Sequence, residues 1–134
     1  MSSIANITVK ATNGTTDVVY VAKTPSSGDG VPARWRADAL GGANAFKPEL
    51  KMTARDNGPK TARNVSLEFS WPQTYTDSTT GLVAVKAKAP GTLTLILPNE
   101  MPDSTGVNEA VDQFFNLINH ASIRTAFKEA FAPT

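Results

Sequence analysis

Cysteine is absent from the 134 residues, and histidine occurs once. Without thiols there is no disulfide, no thiolate zinc site, no iron–sulfur cluster and no cysteine nucleophile. The lone imidazole, His120, belongs to no Ser–His–Asp or metal-ligand pattern and reads as structural. No Gly-Lys-Ser/Thr phosphate loop occurs, and Gly28-x-Gly30 is too weak a pattern to replace one. Nothing approaches the roughly 20 apolar residues of a membrane helix. The first ten residues, MSSIANITVK, lack the apolar core of a secretory leader. Without a leader, the sequons opened by Asn6, Asn13 and Asn64 carry no meaning. The expectation is a soluble chain of about one domain, residues 1–134, from a reducing compartment. It should have no enzymatic activity, catalytic residue, metal, cofactor, membrane or small-molecule substrate.

A large net charge is missing as well: 13 Lys and Arg stand against 12 Asp and Glu. The balance hides an asymmetry. Residues 1–33 sum to zero, residues 34–98 carry nine basic and five acidic side chains, and residues 99–134 carry two basic and five acidic ones. A basic middle and an acidic tail fit one domain with two differently charged faces.

The chain up to residue 98 alternates like antiparallel strands with one wet face. ITVKAT (7–12) and DVVYVAKT (17–24) flank Asn13-Gly14, a hairpin signal. A polar loop follows at 25–30, then VPARWRADA (31–39), with Val31, Ala33, Trp35 and Ala37 opposite Arg34, Arg36 and Asp38. GGAN (41–44) is a break. KPELKMTAR (47–55) and ARNVSLEFSW (62–71) flank a second turn at Asn57-Gly58. Leu50, Met52, Ala54, Val65, Leu67, Phe69 and Trp71 share one face, so Trp35 and Trp71 read as core. Pro72–Gly81 reads as a polar loop too long for a tight hairpin. LVAVKAKAPGTLTLILP (82–98) alternates again, and Pro90-Gly91 predicts a bend or bulge.

The period then changes. Val107, Ala110, Val111, Phe114, Phe115, Leu117 and Ile118 form a helical stripe, with Asp103 or Ser104 as candidate caps. Glu109 and Asp112, three residues apart, read as a solvated face rather than an acid–base pair. A second helix carries Ile123, Ala126, Phe127, Ala130 and Phe131, with Ser122 as candidate cap.

Helices of roughly 15 and 10 residues reach about 22 and 15 Å. That is a thin cover for a sheet of this extent, and the first stripe is wider than one contact needs. A dimer in which each copy's helices also cover the partner's sheet resolves both points. The polar face, rich in Lys, Arg and hydroxyls, would stay bare as a platform for a polyanion.

At LKMTARDNGPKTARNVSLEFSWPQ (50–73) the sequence resembles the coat proteins of single-stranded RNA bacteriophages, the leviviruses. The Asn13-Gly14 hairpin, Trp35 after a Gly-rich loop, and the strands-then-two-helices order extend the resemblance over nearly the whole chain. It implies an α+β fold: an N-terminal β-hairpin plus a five-stranded antiparallel sheet, then two C-terminal helices, in an interlocked dimer. It further implies an icosahedral shell of many dimers, helices outside and sheet toward single-stranded genomic RNA, formed in the bacterial host cytoplasm and found in the virion. In many members a dimer also binds a specific RNA hairpin and represses replicase translation.

The resemblance assigns RNA contact to Lys51, Thr53 and Arg55, to Asn64, Ser66, Glu68 and Ser70, and to Thr92. Lys86 and Lys88 share the parity of Thr92 and join that set. It assigns the dimer interface to Val107, Val111, Phe114, Phe115, Ile118 and Phe127. Glu68 stands where well-studied members have Lys, and Pro90 where some present an aromatic. The loop 72–81 matches the one around the shell's symmetry axes, and without Cys it cannot be cross-linked. A non-assembling dimeric RNA-binding regulator is the alternative function.

Overall fold

The computed structural model describes residues 2–40 and 43–134, apart from the side chains of Asp103 and Ser104. The expected break at Gly41-Gly42 and the two candidate caps therefore lie outside the described residues. The contacts divide the chain into two compact units, Met1–Ile96 and Leu97–Thr134.

The first unit is a meander in the order β1-β2-β3-β4-β5-β6. Its strands are β1 (Ile7–Lys10), β2 (Asp17–Thr24), β3 (Ala33–Arg36), β4 (Glu49–Asp56), β5 (Ala62–Thr76) and β6 (Val83–Pro98), whose last two residues fall in the second unit. Asn13 and Asn57 each close a turn with the side-chain oxygen, which accepts from the N–H groups of Thr15 and Thr16, and of Thr61 and Ala62. Gly14 supplies a positive φ in the first turn. In the second, that conformation falls to Lys60 rather than Gly58.

The pairing β3–β4–β5 is regular. Trp35 lies opposite Leu50, Leu50 opposite Phe69, and Met52 opposite Leu67. These side chains make the apolar face, and its core is Tyr20, Trp35 and Ala37. The Trp35 indole N–H donates to the carbonyl of Ala5 at 2.8 Å, which satisfies its one polar group. Burial pushes the Tyr20 phenol pKa up.

Four strand expectations change. First, β3 is shorter than 31–39: beyond Arg36 the chain enters a 3-10 turn at Asp38–Leu40. Second, β5 runs on to Thr76, so the long loop from Pro72 shrinks to residues 77–82. Pro72 is tolerated because β4 ends opposite Ser70, so its missing N–H falls beyond that ladder. Third, β6 runs on through Pro90-Gly91, where the sequence predicts a bend or bulge, and the described residues form a six-stranded sheet where the resemblance implies a hairpin plus five strands. As the last strand, β6 has a neighbour on one side only, where Pro is acceptable. Fourth, Trp71 lies on the apolar face near Phe69 but is 42% exposed, because it sits past the end of β4.

The second unit holds a π-helical turn (Asp103–Val107), α1 (Asn108–Ile118) and α2 (Ala121–Glu129). Ser122 does not cap α2. His120 does, its Nδ1 accepting from the Ser122 N–H at 3.2 Å. That gives the structural reading of His120 its physical content. Ala130 and Phe131 leave the helix: Ala130 is left-handed (φ 60°), and the N–H of Phe131 returns to the carbonyl of Ala126.

Candidate nucleic-acid interface

Alternation places every second residue of β3, β4 and β5 on the face opposite the core. The register then joins them into transverse rows. Arg36 lies opposite Glu49, and Glu49 opposite Ser70. Arg34 lies opposite Lys51, and Lys51 opposite Glu68. Thr53 faces Ser66, and Arg55 faces Asn64. So β4 and β5 bring together all seven of their sequence-predicted residues: Lys51, Thr53, Arg55, Asn64, Ser66, Glu68 and Ser70.

Strand β6 completes the face. The Ser66 and Thr94 hydroxyls are 3.4 Å apart. Lys88 and Thr92 line a groove of about 310 Å³ with Glu49, Lys51, Glu68 and Ser70. Pro90 and Gly91 form part of its wall. Lys86 is exposed on the same strand and is not part of the groove. The Asn64 side-chain oxygen is shielded from solvent and accepts no hydrogen bond from the described residues.

Two groups of cations stand out in the sheet unit. One group is held by carboxylates. Asp38 receives Arg36 at 2.6 Å, Lys47 at 3.9 Å and the Lys23 ammonium. Lys23 sits where the β2–β3 register shifts, between Ala22 and Thr24. The hydrogen bond from Lys23, then that from Arg36, holds the Asp38 carboxyl down at about 2. Arg63 binds Asp29 through two hydrogen bonds of 2.7 and 2.9 Å, and Asp56 at 3.0 Å. The Arg63 hydrogen bond lowers the Asp29 carboxyl pKa, and Arg63 itself is pushed further up. This pairing ties the loop at 25–32 to the start of β5.

The second group is Arg34, Lys51, Arg55, Lys86 and Lys88, which make no ion pair among the described residues. Four of these are sequence-predicted site residues, and Arg34, which is not, lies opposite Lys51 on the same face. Its parity in VPARWRADA marks its face; its position beside Lys51 depends on long-range register. Thr94 and Glu49, which share parity with predicted residues, lie on the same face. No group of three or more His, Asp or Glu suited to a metal ion occurs among the described residues.

The predicted interface residues of the second unit divide by exposure. Val107, Val111, Phe114 and Ile118 are half-buried, while Phe115 and Phe127 are 46% and 78% exposed. Leu117 and Phe131, absent from the predicted set, are exposed by 63% and 79%. Neither α1 nor α2 has a fully buried residue.

No family model matches the sequence, and no curated protein does. Solved structures do. The chain is similar to the virus-like particle protein of bacteriophage NT-214, at a TM-score of 0.82 and 14% identity, over 99% of this chain and 100% of that one. It is similar to that of Beihai levi-like virus 21, at 0.81 and 14%, over 99% and 98%. Against the capsid protein of bacteriophage GA the TM-score is 0.73 and the identity 15%, over 96% and 95%. The chain therefore shares the fold of these solved structures over nearly its whole length, at 14–15% sequence identity.

Proposed function

We propose that the chain is the coat protein of a single-stranded RNA bacteriophage, a non-enzymatic shell component of the virion that packages RNA against the polar face of its sheet. The observation that carries this reading is the match, nearly end to end on both sides, to proteins of virus-like particles. On this reading the two units act as one coat-protein domain. Two copies dimerise, with Phe115, Leu117, Phe127 and Phe131 covered by the partner and β6, the sheet's last strand, paired with the partner's. Burying exposed aromatics on this scale is what a permanent interface requires.

RNA contact is assigned to the unpaired cations and hydroxyls of the polar face. Lys51, Arg55, Lys86 and Lys88 take phosphates. Thr53, Asn64, Ser66, Ser70 and Thr92 hydrogen-bond sugars and base edges. Glu68 repels phosphate and leaves base amino groups as its partners. Binding of one RNA hairpin, with repression of replicase translation, is the finer role this face would serve.

The test is Lys51→Ala with Arg55→Ala. The double variant should pack less nucleic acid, and its log affinity for single-stranded RNA should fall less steeply with log salt, by roughly 0.7 for each phosphate no longer neutralised. An unchanged slope would put RNA elsewhere. Soluble dimers that bind RNA and never form particles would favour the regulator instead.

A further inference from the structure

We infer that Arg34 is a contact for the RNA phosphodiester backbone, acting with Lys51 as a cationic pair across β3 and β4. The inference rests on the packaging reading above. It starts from a cost. Arg34 and Lys51 are directly opposite each other in an antiparallel ladder. Their alternation puts both on the face away from Trp35 and Leu50. Side chains so placed have Cβ atoms roughly 4.5–5.5 Å apart, and like charges there destabilise the sheet.

Relief by a carboxylate is within this chain's means, because it is used close by. Asp38 collects Lys23, Arg36 and Lys47, and Asp29 with Asp56 collects Arg63. Among the described residues Arg34 and Lys51 have no such partner, although Glu68 stands opposite Lys51 on its other side. Arg34 is exposed, and Lys51 lines the groove of the polar face. A repulsive pair of this kind is satisfied by an anion from outside the subunit. The guanidinium fork matches two oxygens of a phosphate, and the lysine adds a second charge beside it. Such a contact carries no base preference.

Two effects of opposite sign follow from removing Arg34, and a merely structural arginine would not produce them together. The assay is binding of full-length protein to a random-sequence single-stranded RNA oligomer over a salt series, alongside thermal melting of the RNA-free protein. Arg34→Ala should reduce the log–log salt slope by roughly 0.7. It should weaken binding equally for oligomers of different sequence and raise the melting temperature. Arg34→Lys should restore the slope and the lower melting temperature.

A wild-type protein that does not bind RNA would overturn the packaging reading, and this inference with it. Wild-type binding with an unchanged slope in Arg34→Ala would overturn the Arg34 assignment alone. So would an Arg34→Ala protein that melts lower than wild type.

Discussion

The two units bury their apolar side chains to very different degrees. In the sheet unit Tyr20, Trp35, Ala37 and Ala62 are buried, and the large aromatic at its centre is hydrogen-bonded. In the helical unit neither helix has a fully buried residue, while Phe127 and Phe131 stand almost 80% exposed. Both units follow clean amphipathic patterns, so the difference does not lie in local sequence. It lies in how much of each pattern one copy can satisfy. The sheet unit closes a small core of Tyr20, Trp35 and Ala37 while Met52, Trp71, Tyr75, Leu82 and Ile96 stay exposed, and neither helix buries any residue of its stripe fully. Isolated helices of 11 and 9 residues are themselves marginal in water.

Substitution should separate the two regions. The largest effect expected is for Trp35→Ala, which opens the sheet core and should cost about 3–5 kcal/mol in denaturant unfolding. Phe127→Ala in a dissociated subunit should cost less than about 0.5 kcal/mol, as surface changes do. The double change Phe115→Asp with Phe127→Asp should leave the sheet's near-ultraviolet signal in place and abolish particles by light scattering. If Phe127→Ala destabilised a lone subunit as much as Trp35→Ala, the contrast would be wrong.

The helical unit can be probed by its ends. His120→Ala removes the acceptor for the Ser122 N–H and should lower stability by about 1 kcal/mol, with His120→Asn retaining most of it. Ala130→Gly relieves a left-handed alanine and should raise stability by roughly 0.5–1 kcal/mol. Thermal melting of both variants checks the caps. Neither should alter RNA binding.

The smallest effect belongs to the sheet's ion cluster. The Asp38 carboxyl, held at about 2 in the fold, lies near 4 when unfolded. A group with a depressed pKa contributes stability above its unfolded value and loses it as pH falls through the folded one. Melting temperature should therefore decline between pH 4 and about 2. Asp38→Asn should flatten part of that decline, modestly, because the cluster is at the surface. An identical pH profile for the variant would remove Asp38 from the account.

Much of the site was legible because its signal has period two. Alternation alone puts Lys51, Thr53, Arg55, Asn64, Ser66, Glu68 and Ser70 on one face, and the register joins them there. What failed were features set by neighbours in space. Pro72 and Pro90 look like strand breakers until β4 is seen to stop at Glu49 and β6 to have a single neighbour. Ser122 looks like the better cap by type, yet His120 precedes the helix in extended geometry with an acceptor in reach. Which lysines and arginines are free could not be read at all. The partners of Asp38 and Arg63 lie up to 34 residues away in the chain, and one, Lys23, sits at a shift of strand register.

The central claim is that one copy is incomplete and that assembly both covers the helices and encloses RNA. Electron microscopy of the expressed protein, with the nucleic-acid content of the same particles measured, tests it most directly. The account predicts closed icosahedral particles a few hundred ångströms across, on the order of many dimers each, that contain single-stranded RNA. A monodisperse, RNA-free monomer of native structure would contradict it.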